Sequence, residues 1–304
     1  MSSSALFIVN KFSGHQYKAG LENLILDECR QAHIKCRIEF TQKRGHATEL
    51  ARWAVDQKIN YVFAAGGDGT VNEVAQGLVH TGVPMGILPK GSGNGLARHL
   101  RLPMNFKDAL KVVSHHREEW IDTILINDKL SVNVSGIGFD AHVASLFSKQ
   151  TKRGLTGYAK LVLNEFGAFQ PFAVQVSMNG EQFTANSFII AIANSSQFGN
   201  NARVAPQASV QDQLIDVSFV QKVPLLHSIG FARKMFNGNL DKSSFVKIRQ
   251  TPRVLFESPL PLSFHIDGEP MPPARSFDCR IDPLSLKILL PGKGDNPPKN
   301  QYPL

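Results

Sequence analysis

Two glycine-rich segments follow short apolar runs in the first third of the sequence. The first is Gly66-Gly67-Asp68-Gly69-Thr70, and the second is Lys90-Gly91-Ser92-Gly93-Asn94. Glycines permit positive φ and a close backbone approach to phosphate, and the start of a following helix adds positive potential. The two segments together therefore predict a phosphate-binding site. The alternative for the first segment alone is a tight turn in which Asp68 caps a helix, with Asn72 and Glu73 as further capping residues.

Acidic residues could bring a metal ion and a general base to such a site. Asp68 could hold Mg²⁺ through water, because Mg²⁺ prefers a few carboxylates together with substrate oxygens. In His265-Ile-Asp267-Gly-Glu269 two carboxylates lie two residues apart, and in an extended strand both would point to one face at roughly 6.5 Å separation. One could then remove a hydroxyl proton while the other holds Mg²⁺. The alternative is a plain Asp-Gly hairpin turn.

Three other kinds of site are disfavoured by the sequence. No Gly-x-x-x-x-Gly-Lys-Ser/Thr segment occurs, which excludes a Walker-type phosphate loop. The segment from Gly136 to Ala141 formally matches a dinucleotide fingerprint, but no acidic residue follows about 20 positions on, so NAD binding there is disfavoured. The three cysteines, Cys29, Cys36 and Cys279, show no paired short spacing, so neither disulfides nor a cysteine metal site is predicted.

The elements that must position these residues change in character along the chain. Up to about residue 122, apolar β-branched runs alternate with amphipathic stretches, which is typical of βαβ units and a parallel sheet. Both glycine-rich segments follow predicted strands, so both would lie at the carboxyl edge of that sheet, where open α/β sheets bind ligands. The predicted strands are 6–9, 37–41, 61–65 and 85–88, and the predicted helices are 21–32, 47–55 and 106–114.

The remainder of the chain alternates with period two and predicts mainly antiparallel β structure. Asn179-Gly180 between two alternating runs is a strong hairpin signal. We therefore expect an α/β domain at 1–122, a β-rich domain at 123–290 and a mobile tail at 291–304 without function; the last strand, 285–290, could return to the first domain. The predicted strands are 173–178, 183–192, 215–220, 245–249, 253–257 and 262–267, with one helix near 155–167.

Composition is that of an ordinary globular protein with an excess of positive charge. Of 304 residues, 42% are hydrophobic and 19% are charged, and the formal net charge is +8. The charge favours an anionic partner. Neither a signal peptide nor an apolar run near the roughly 20 residues of a spanning helix is present, so we expect a cytoplasmic protein.

Five segments together resemble the diacylglycerol kinase catalytic family, which includes diacylglycerol, sphingosine and bacterial lipid kinases. The resemblance extends from Phe7 to Leu290 and keeps the family order of motifs. In chain order the segments are Asn10 to Gly14, Gly66 to Thr70 with Asn72 and Glu73, Leu88 to Asn94, Asn133 to Ala141, and Asp267 to Glu269.

The resemblance implies an N-terminal domain that binds ATP, a C-terminal β-sandwich that contributes a lipid pocket, and a cleft between them. The implied reaction transfers the γ-phosphoryl group of ATP to a lipid hydroxyl, of a diacylglycerol-like or sphingoid acceptor. By the same resemblance Asp267 is the general base and Glu269 its partner acid, while Asp68, Asp122 and Glu269 join a Mg²⁺ water network. The implied nucleotide-binding residues are Asn10, Ser13, Thr41, Arg44, Gly66, Gly67, Asp68, Gly69, Thr70, Val71, Asn72, Glu73, Ser92, Gly93 and Asn94.

The sequence departs from the family pattern at two places. Many bacterial members carry Asp where this chain has Gly95, so one acidic member of the network is absent. Sphingosine-kinase-like members also lack this Asp, so its absence tilts the choice of substrate slightly towards theirs and does not predict inactivity. The family's Asp-Gly-x-Leu reads Asp212-Gln213-Leu214 here. This second departure weakens the implied structural metal site, which would use Asp212 and the carbonyl oxygens of Ser209 and Leu214.

The implied lipid acceptor lies in a bilayer, so the excess of Lys and Arg over Asp and Glu could serve to bind a membrane. Transient contact with an anionic membrane surface is predicted, and each Lys or Arg near such a surface contributes roughly 1 kcal/mol. A second copy of the chain is a further candidate partner. The residues predicted to touch the membrane are Lys149, Lys152 and Arg153, near Phe147 and Leu155, while Arg98 and Arg101 could face either phosphate or headgroup.

Three rival functions differ in class. NAD kinases also use Gly-Gly-Asp-Gly-Thr at a strand end, although their other motifs are not found in this sequence. A non-catalytic lipid carrier would not need the acidic residues that this chain keeps. A nucleic-acid binder is disfavoured, since only 9% of the residues are aromatic and no basic helix stands out.

Overall fold

The structure is a computed structural model that describes residues 3–14, 20–148 and 155–292. The chain forms two compact units. Unit 1 comprises Met1–Asp122 together with Pro283–Leu304, and unit 2 comprises Thr123–Asp282. The predicted tail from residue 293 onward lies outside the described residues.

Unit 1 contains a parallel sheet whose inner strands are buried and largely apolar, while the edge strand Lys35–Phe40 is partly exposed and carries charged residues. Such continuous apolar runs are expected where helices cover both faces of a sheet. The strand order is β14, β4, β3, β1, β2. The strands are β1 (Ser4–Val9), β2 (Lys35–Phe40), β3 (Tyr61–Gly66), β4 (Met85–Pro89) and the last part of β14 (Glu269–Pro291).

The register of these strands aligns their carboxyl ends. Val9 lies opposite both Phe40 and Ala65, and Gly66 lies opposite Pro89. From β1 the chain order runs outward in both directions, to β2 on one side and to β3 and β4 on the other. The position between β1 and β3 is therefore a topological switch point, where sheets of this kind bind ligands outside the strand ends.

The helices of unit 1 pack around this sheet. The rings of Phe7 on β1 and Phe63 on β3 stack with their centroids 4.5 Å apart in the core. A 3₁₀ turn at Lys111–Val113 follows the last helix. The helices are α1 (Leu21–Gln31), α2 (His46–Asp56), α3 (Asp68–Leu78), α4 (Gly95–His99) and α5 (Phe106–Leu110).

Within unit 2 the described residues form antiparallel strands, three α-helices and a 3₁₀ turn at Leu240–Lys242. One path of hydrogen-bonded neighbours is β12, β11, β10, β7 and β13, and β13 also pairs with β8, which pairs with β9. The strands are β5 (His116–Ile126, which begins in unit 1), β6 (Lys129–Ser131), β7 (Val134–Gly138), β8 (Phe172–Met178), β9 (Glu181–Ser187), β10 (Ile189–Ala193), β11 (Ile215–Val220), β12 (Val246–Thr251), β13 (Arg253–Ile266) and the first part of β14. The helices are α6 (Phe139–Ser148), α7 (Leu155–Ala168) and α8 (Leu225–Phe236).

Strand β13 pairs with two different strands along its length, β8 and β7, and the core of unit 2 lies beside these pairs. The first part of β13 pairs with β8 at Val254 to Glu257, and its last part pairs with β7 at Phe264 and His265, with register shifts between them. Side chains such as Ile137 on β7 and Val176 on β8 fill the interior. The parallel sheet of unit 1 and this antiparallel sandwich confirm the predicted fold class.

Several predicted elements differ from the structure. The predicted strand 183–192 is two strands, β9 and β10, while 253–257 and 262–267 belong to the single strand β13. Only one helix was expected in the second half, so α6 and α8 were missed; α8 lacks the usual polar outer face, which hides its helical rhythm. The final segment does return to unit 1, where Ile288 lies opposite Met85 in a parallel pair.

No helix among the described residues is both long enough and apolar enough to cross a membrane.

Helices α2 and α3 approach each other closely at Gly77. A Cβ added to Gly77 would lie 2.5 Å from the Cβ of Ala51 and 2.9 Å from the carbonyl oxygen of Thr48. We expect Gly77→Ala to lower the free energy of unfolding by about 1 to 3 kcal/mol, because overpacking forces the helices apart. Gly69→Ala on the same helix is the control, since nothing lies within 4 Å of its added Cβ. Urea denaturation measures both, and equal stability of the two variants would contradict the close approach.

Candidate functional site

Three loops at the carboxyl edge of the unit 1 sheet approach one another through their glycines. They are loop 1 (residues 10–14, after β1), loop 2 (66–70, after β3) and loop 3 (90–94, after β4). A Cβ on Gly14 would lie 1.8 Å from the carbonyl oxygen of Lys90, and a Cβ on Gly91 would lie 2.5 Å from the Cα of Gly67. Only glycine allows these backbones to come so close, so the two predicted glycine-rich segments do form one structure.

Asp68 ties loop 2 to loop 3. Its carboxylate accepts hydrogen bonds from the backbone N–H groups of Asn94, at 2.8 Å, and Gly95, at 2.7 Å. Asp68 is the first residue of α3 rather than its N-cap, and Gly67 occupies the cap position. The alternative of a simple turn with Asp68 at the cap position is therefore wrong, because Asp68 lies within α3 and its carboxylate binds the neighbouring loop.

Loop 3 is closed on itself and attached to loop 1. The side chain of Asn94, in the left-handed region at φ 53°, accepts from the N–H of Gly91 and donates to its carbonyl oxygen. The ammonium group of Lys90 donates to the carbonyl oxygens of Asn10 and Ser13 in loop 1, and its partial burial lowers the pKa of Lys90. These bonds fix the positions of all three loops relative to one another.

Other predicted nucleotide-binding residues of unit 1 lie around the same edge. The side-chain amide of Asn10 donates to the hydroxyl of Thr70 at 3.1 Å. Ser92 is exposed on loop 3, and Val71 and Asn72 are buried in the first turns of α3. Gly93 also lies on loop 3, and its carbonyl oxygen accepts a hydrogen bond from the side chain of Arg98.

Glu73 has a structural partner that sequence reasoning did not foresee. Its carboxylate accepts from the N–H groups of Gly45 and Ala47, at 2.9 and 3.1 Å, and so caps the start of α2. The predicted residues Thr41 and Arg44 lie in this same connection between β2 and α2, where the N–H of Thr41 donates to Val9. Glu73 thus holds the Thr41 to Gly45 connection at the edge of the site.

The edge as a whole offers hydrogen-bond donors and positive potential. Helix α3 begins at Asp68, so the positive end of its dipole and its first-turn N–H groups lie at loop 2. Successive backbone N–H groups in such loops form concave sites for anions. The arrangement is chemically suited to the phosphates of a nucleotide.

Gly14 allows a direct test of loop packing. We expect Gly14→Ala to weaken binding of a non-hydrolysable ATP analogue about tenfold or more, since the methyl group would displace loop 1 from Lys90. Gly20→Ala is the matched control, because Gly20 also has positive φ, 98° against 72° at Gly14, but nothing lies within 4 Å of its added Cβ. Calorimetric titration measures both affinities. An equal loss in the two variants would show that backbone strain, not loop contact, is responsible.

Asp122 is fully buried in β5 within unit 1. Its carboxylate accepts a hydrogen bond from the N–H of Leu284 at 2.8 Å, where the chain has re-entered the unit. This bond gives Asp122 a role in holding the returning chain. Its participation in a Mg²⁺ water network stays a prediction.

In unit 2, Asp267 lies in a two-residue turn between β13 and β14. Ile266 pairs with Glu269 across the turn, and Asp267 and Gly268 both have positive φ, as a type I′ hairpin turn requires. The expectation that Asp267 and Glu269 project from one extended strand is therefore wrong. Glu269 is partly exposed as the first residue of β14.

The turn directs the Asp267 carboxylate into a pocket of hydrogen-bond donors. It accepts from the hydroxyl of Ser131 at 2.6 Å and from the N–H groups of Val132 and Asn133 at 2.8 and 3.1 Å. The hydroxyl of Ser135 lies 2.8 Å from that of Ser131 and accepts from the N–H of Asp267. The carboxylate is consequently held in a single orientation and nearly buried.

A buried histidine and aspartate support the same turn. Nδ1 of His265 accepts from the N–H of Gly268, which leaves Nε2 to donate to the carboxylate of Asp140 at 3.1 Å. A Cβ on Gly136 would lie 1.8 Å from that carboxylate. In the segment that matched a dinucleotide fingerprint, Gly136 thus leaves space for the Asp140 carboxylate and the His265 ring. Because β7 pairs antiparallel with both neighbours, no dinucleotide fold is present there.

The Asp140–His265 pair yields a prediction about stability. Removing either partner takes away a hydrogen bond that is almost fully shielded from water, so Asp140→Ala and His265→Ala should couple by about 1 to 3 kcal/mol in a double-mutant cycle. The matched control is His142–Glu165, a 2.8 Å pair in the same unit whose side chains are 32% and 30% exposed. Its coupling should stay at or below about 1 kcal/mol. Urea denaturation of the two cycles measures this, and equal coupling would refute a special role for the buried pair.

The remaining predicted residues include those of the structural metal site, Ser209, Asp212 and Leu214. Asp212 is exposed, three residues beyond Ser209, and accepts from the N–H of Leu214 in a local turn. Among the described residues, no group of three or more His, Cys, Asp or Glu side chains could hold a metal ion. Lys149, Lys152 and Arg153 lie outside the described residues.

Sequence reasoning missed the residues that position the candidate catalytic groups. Ser131 carried no recognisable pattern, whereas Ser135 and Asp140 lie in the Asn133 to Ala141 segment of the family resemblance but were given no role, since only the fold brings them to Asp267 and His265. The one available signal was the paired glycines at Gly136 and Gly138, whose spacing indicated close packing but was compared with the wrong fold.

Comparison with known proteins gives consistent matches over most of the chain. The profile of the diacylglycerol kinase catalytic domain matches residues 4–126, and that of the YegS C-terminal NAD kinase beta sandwich-like domain matches residues 133–290. A Chromohalobacter salexigens protein named a probable YegS-like lipid kinase is 30% identical over 79% of this chain and 79% of its own length. A Klebsiella pneumoniae protein of the same name is 28% identical over 88% of this chain and 89% of its own.

A solved structure supports the fold alone. The crystal structure of a diacylglycerol kinase from Bacillus anthracis superposes with a TM-score of 0.72 at 16% identity. The superposition covers 94% of this chain and 96% of that one. At this identity the likeness concerns architecture and not substrate.

Proposed function

Because this chain belongs to the diacylglycerol kinase catalytic domain family, with a YegS-like C-terminal domain, we propose that it is a lipid kinase that uses ATP. The reaction transfers the γ-phosphoryl group to a hydroxyl of a diacylglycerol-like or sphingoid lipid. The observation that carries the proposal is the set of three interlocked loops at the sheet edge, held by Asp68 and Lys90. A nest of this kind suits a polyphosphate.

The donor set of unit 1 fits a magnesium ion brought by the nucleotide. Mg²⁺ typically takes one or two carboxylates together with phosphate oxygens and water. Asp68 lies where loops 2 and 3 meet, and its carboxylate accepts from the N–H groups of Asn94 and Gly95. Asp68 would hold the ion, with Asp122 and Glu269 as predicted members of its water network. Bound there, Mg²⁺ would neutralise charge on the transferred phosphoryl group.

Asp267 is the proposed base on the acceptor side. The lipid hydroxyl oxygen forms a bond to the γ-phosphorus, the bond from that phosphorus to the bridging oxygen of ADP breaks, and the hydroxyl proton passes to the Asp267 carboxylate. Ser131 and the N–H groups of Val132 and Asn133 would hold that carboxylate in place for the transfer. General-base catalysis of this kind contributes about 10² to 10⁴ in rate. Glu269 is the proposed partner acid.

NAD kinase activity is the second candidate, and one observation favours it. The C-terminal profile that matches residues 133–290 is described as NAD kinase beta sandwich-like. Against it, the N-terminal profile is that of the diacylglycerol kinase catalytic domain and the relatives carry lipid kinase names. A non-catalytic lipid carrier is disfavoured because the chain keeps Asp68, Asp122, Asp267 and Glu269.

The proposed acceptor also determines where the protein acts. A kinase of membrane lipids must reach its acceptor at a bilayer surface, so we propose transient contact with anionic phospholipids from the cytoplasmic side. The net charge of +8 supports such contact.

Labelled ATP and a total lipid extract provide the test of function. We expect the wild-type protein with Mg²⁺ to label one lipid class, and Asp68→Ala and Asp267→Asn to reduce the label at least about 10²-fold. Exposed aspartates provide controls in each unit: Asp56→Ala and Asp241→Asn should retain full activity. Circular dichroism and binding of an ATP analogue establish whether each variant folds; Asp267→Asn, altered in unit 2, should still bind nucleotide.

Three outcomes would contradict the proposal in different ways. Full turnover by a folded Asp267→Asn protein would remove Asp267 as the base. Label that appears on added NAD instead of lipid would favour the NAD kinase alternative. Labelling with another nucleotide but not with ATP would refute the proposed donor.

A further inference from the structure

Helix α8 presents an apolar face to solvent. Leu225, Leu226, Ile229 and Phe236 are 76%, 90%, 83% and 50% exposed, and no residue of the helix is fully buried. At 3.6 residues per turn, these four side chains and Arg233 fall within an arc of roughly 100°. We call this set, Leu225, Leu226, Ile229, Arg233 and Phe236, the α8 face. Contiguous apolar surface of this kind marks a binding site for a partner or a membrane.

The opposite side of α8 is anchored to unit 2, which fixes the α8 face outward. Phe231 and Met235 pack against a buried cluster that includes Val134 on β7. The carbonyl oxygen of Met235 accepts from the N–H of Arg203, and Lys234 donates to the carbonyl oxygen of Lys242 at 2.7 Å. The apolar face is therefore a property of the folded unit and not of a loosely attached helix.

The apolar surface continues from α8 to α7. A groove of about 400 Å³ lies between the end of α7 and the start of α8. Within it, the ammonium group of Lys222 donates to the carbonyl oxygens of Gly167 and Phe169 at 3.2 and 2.7 Å. Leu163, 75% exposed, precedes Gly167 by one helical turn. The groove is lined by Phe166, Gly167, Lys222, Val223, Pro224 and Leu225.

The charges of this segment select an anionic partner. Between Val217 and Leu240 the sequence contains no Asp or Glu, while it contains Lys222, Arg233 and Lys234. Apolar residues on one face with Lys and Arg nearby are the composition of helices that lie in a membrane interface. A second copy docked on this face about a twofold axis would bring like charges together without an acidic residue from the same helix to pair them.

We propose that the α8 face docks the protein on the surface of an anionic phospholipid bilayer. Leu225, Leu226, Ile229 and Phe236 enter the headgroup boundary, and Arg233 contacts lipid phosphates. The inference rests on the proposed function in one respect, since a bilayer-resident acceptor requires such docking. It assigns the contact to α8, whereas the sequence suggested Lys149 to Arg153.

Sedimentation with vesicles that contain no diacylglycerol or sphingoid lipid tests the docking without reference to activity. With phosphatidylcholine vesicles carrying phosphatidylserine, we expect Leu226→Glu and Ile229→Glu each to lower the partition coefficient about tenfold or more. Leu260→Glu is the matched control, because Leu260 is also a large exposed side chain, 68% exposed, but lies on β13. Arg233→Gln should lower binding about fivefold on anionic vesicles and leave binding to pure phosphatidylcholine unchanged.

The outcomes separate this inference from the proposed function. Equal binding by the wild type, Ile229→Glu and Leu260→Glu would overturn it. So would conversion of a dimer to a monomer by Ile229→Glu, measured by light scattering, with vesicle binding unchanged; that result would make α8 an interface between copies. Where kinase activity is found, Ile229→Glu should lose it on vesicle-embedded acceptor and keep it on a short-chain acceptor dispersed as monomers. Absence of kinase activity with normal vesicle binding would refute the function but leave the docking site intact.

Discussion

The close approach of backbones at the carboxyl edge of the parallel sheet is the constraint on which unit 1 depends. Gly14 against Lys90 and Gly67 against Gly91 leave no space for a side chain. This packing brings loops from three different strands into one hydrogen-bonded set, which Asp68 and Lys90 complete. The proposed phosphate site would therefore arise from main-chain geometry, which the side chains of Asp68 and Lys90 hold in place.

In unit 2, hydrogen bonds from neighbouring residues hold the side chain of the candidate base in place. The Asp267 carboxylate would be costly to bury alone, but it accepts three hydrogen bonds from a short segment that ends β6 and precedes β7. The turn that carries it is fixed from the other side by His265 and Asp140. The position of this one carboxylate thus depends on residues from three separate parts of the sequence, 131–133, Asp140 and 265–268.

Features that depend on local residue patterns were predicted from the sequence, whereas features that depend on which strands pair were missed. The βαβ alternation, the glycine-rich segments and the Asn179-Gly180 hairpin follow from local propensity, and strands β1 to β4 lie within two residues of their predicted bounds. Helix α8 was missed because its outer face is apolar, and the pairing of Ile288 with Met85 was undecidable because nothing local specifies it. The strand geometry expected for Asp267 and Glu269 failed because the Asp-Gly turn prevailed over extended alternation. The partners of Asp267 come from strand register, which one sequence does not reveal.

The return of β14 to unit 1 has a consequence for synthesis on the ribosome. The neighbour of β4 in the sheet is supplied by residues near Ile288, about 200 positions after β4 itself. At elongation rates of roughly 5 to 20 residues per second, the outer edge of β4 waits on the order of ten seconds or more for its partner. During that interval an unpaired strand edge is open to association with other nascent chains. Unit 1, although its first strands are made first, is therefore the unit whose sheet is completed last.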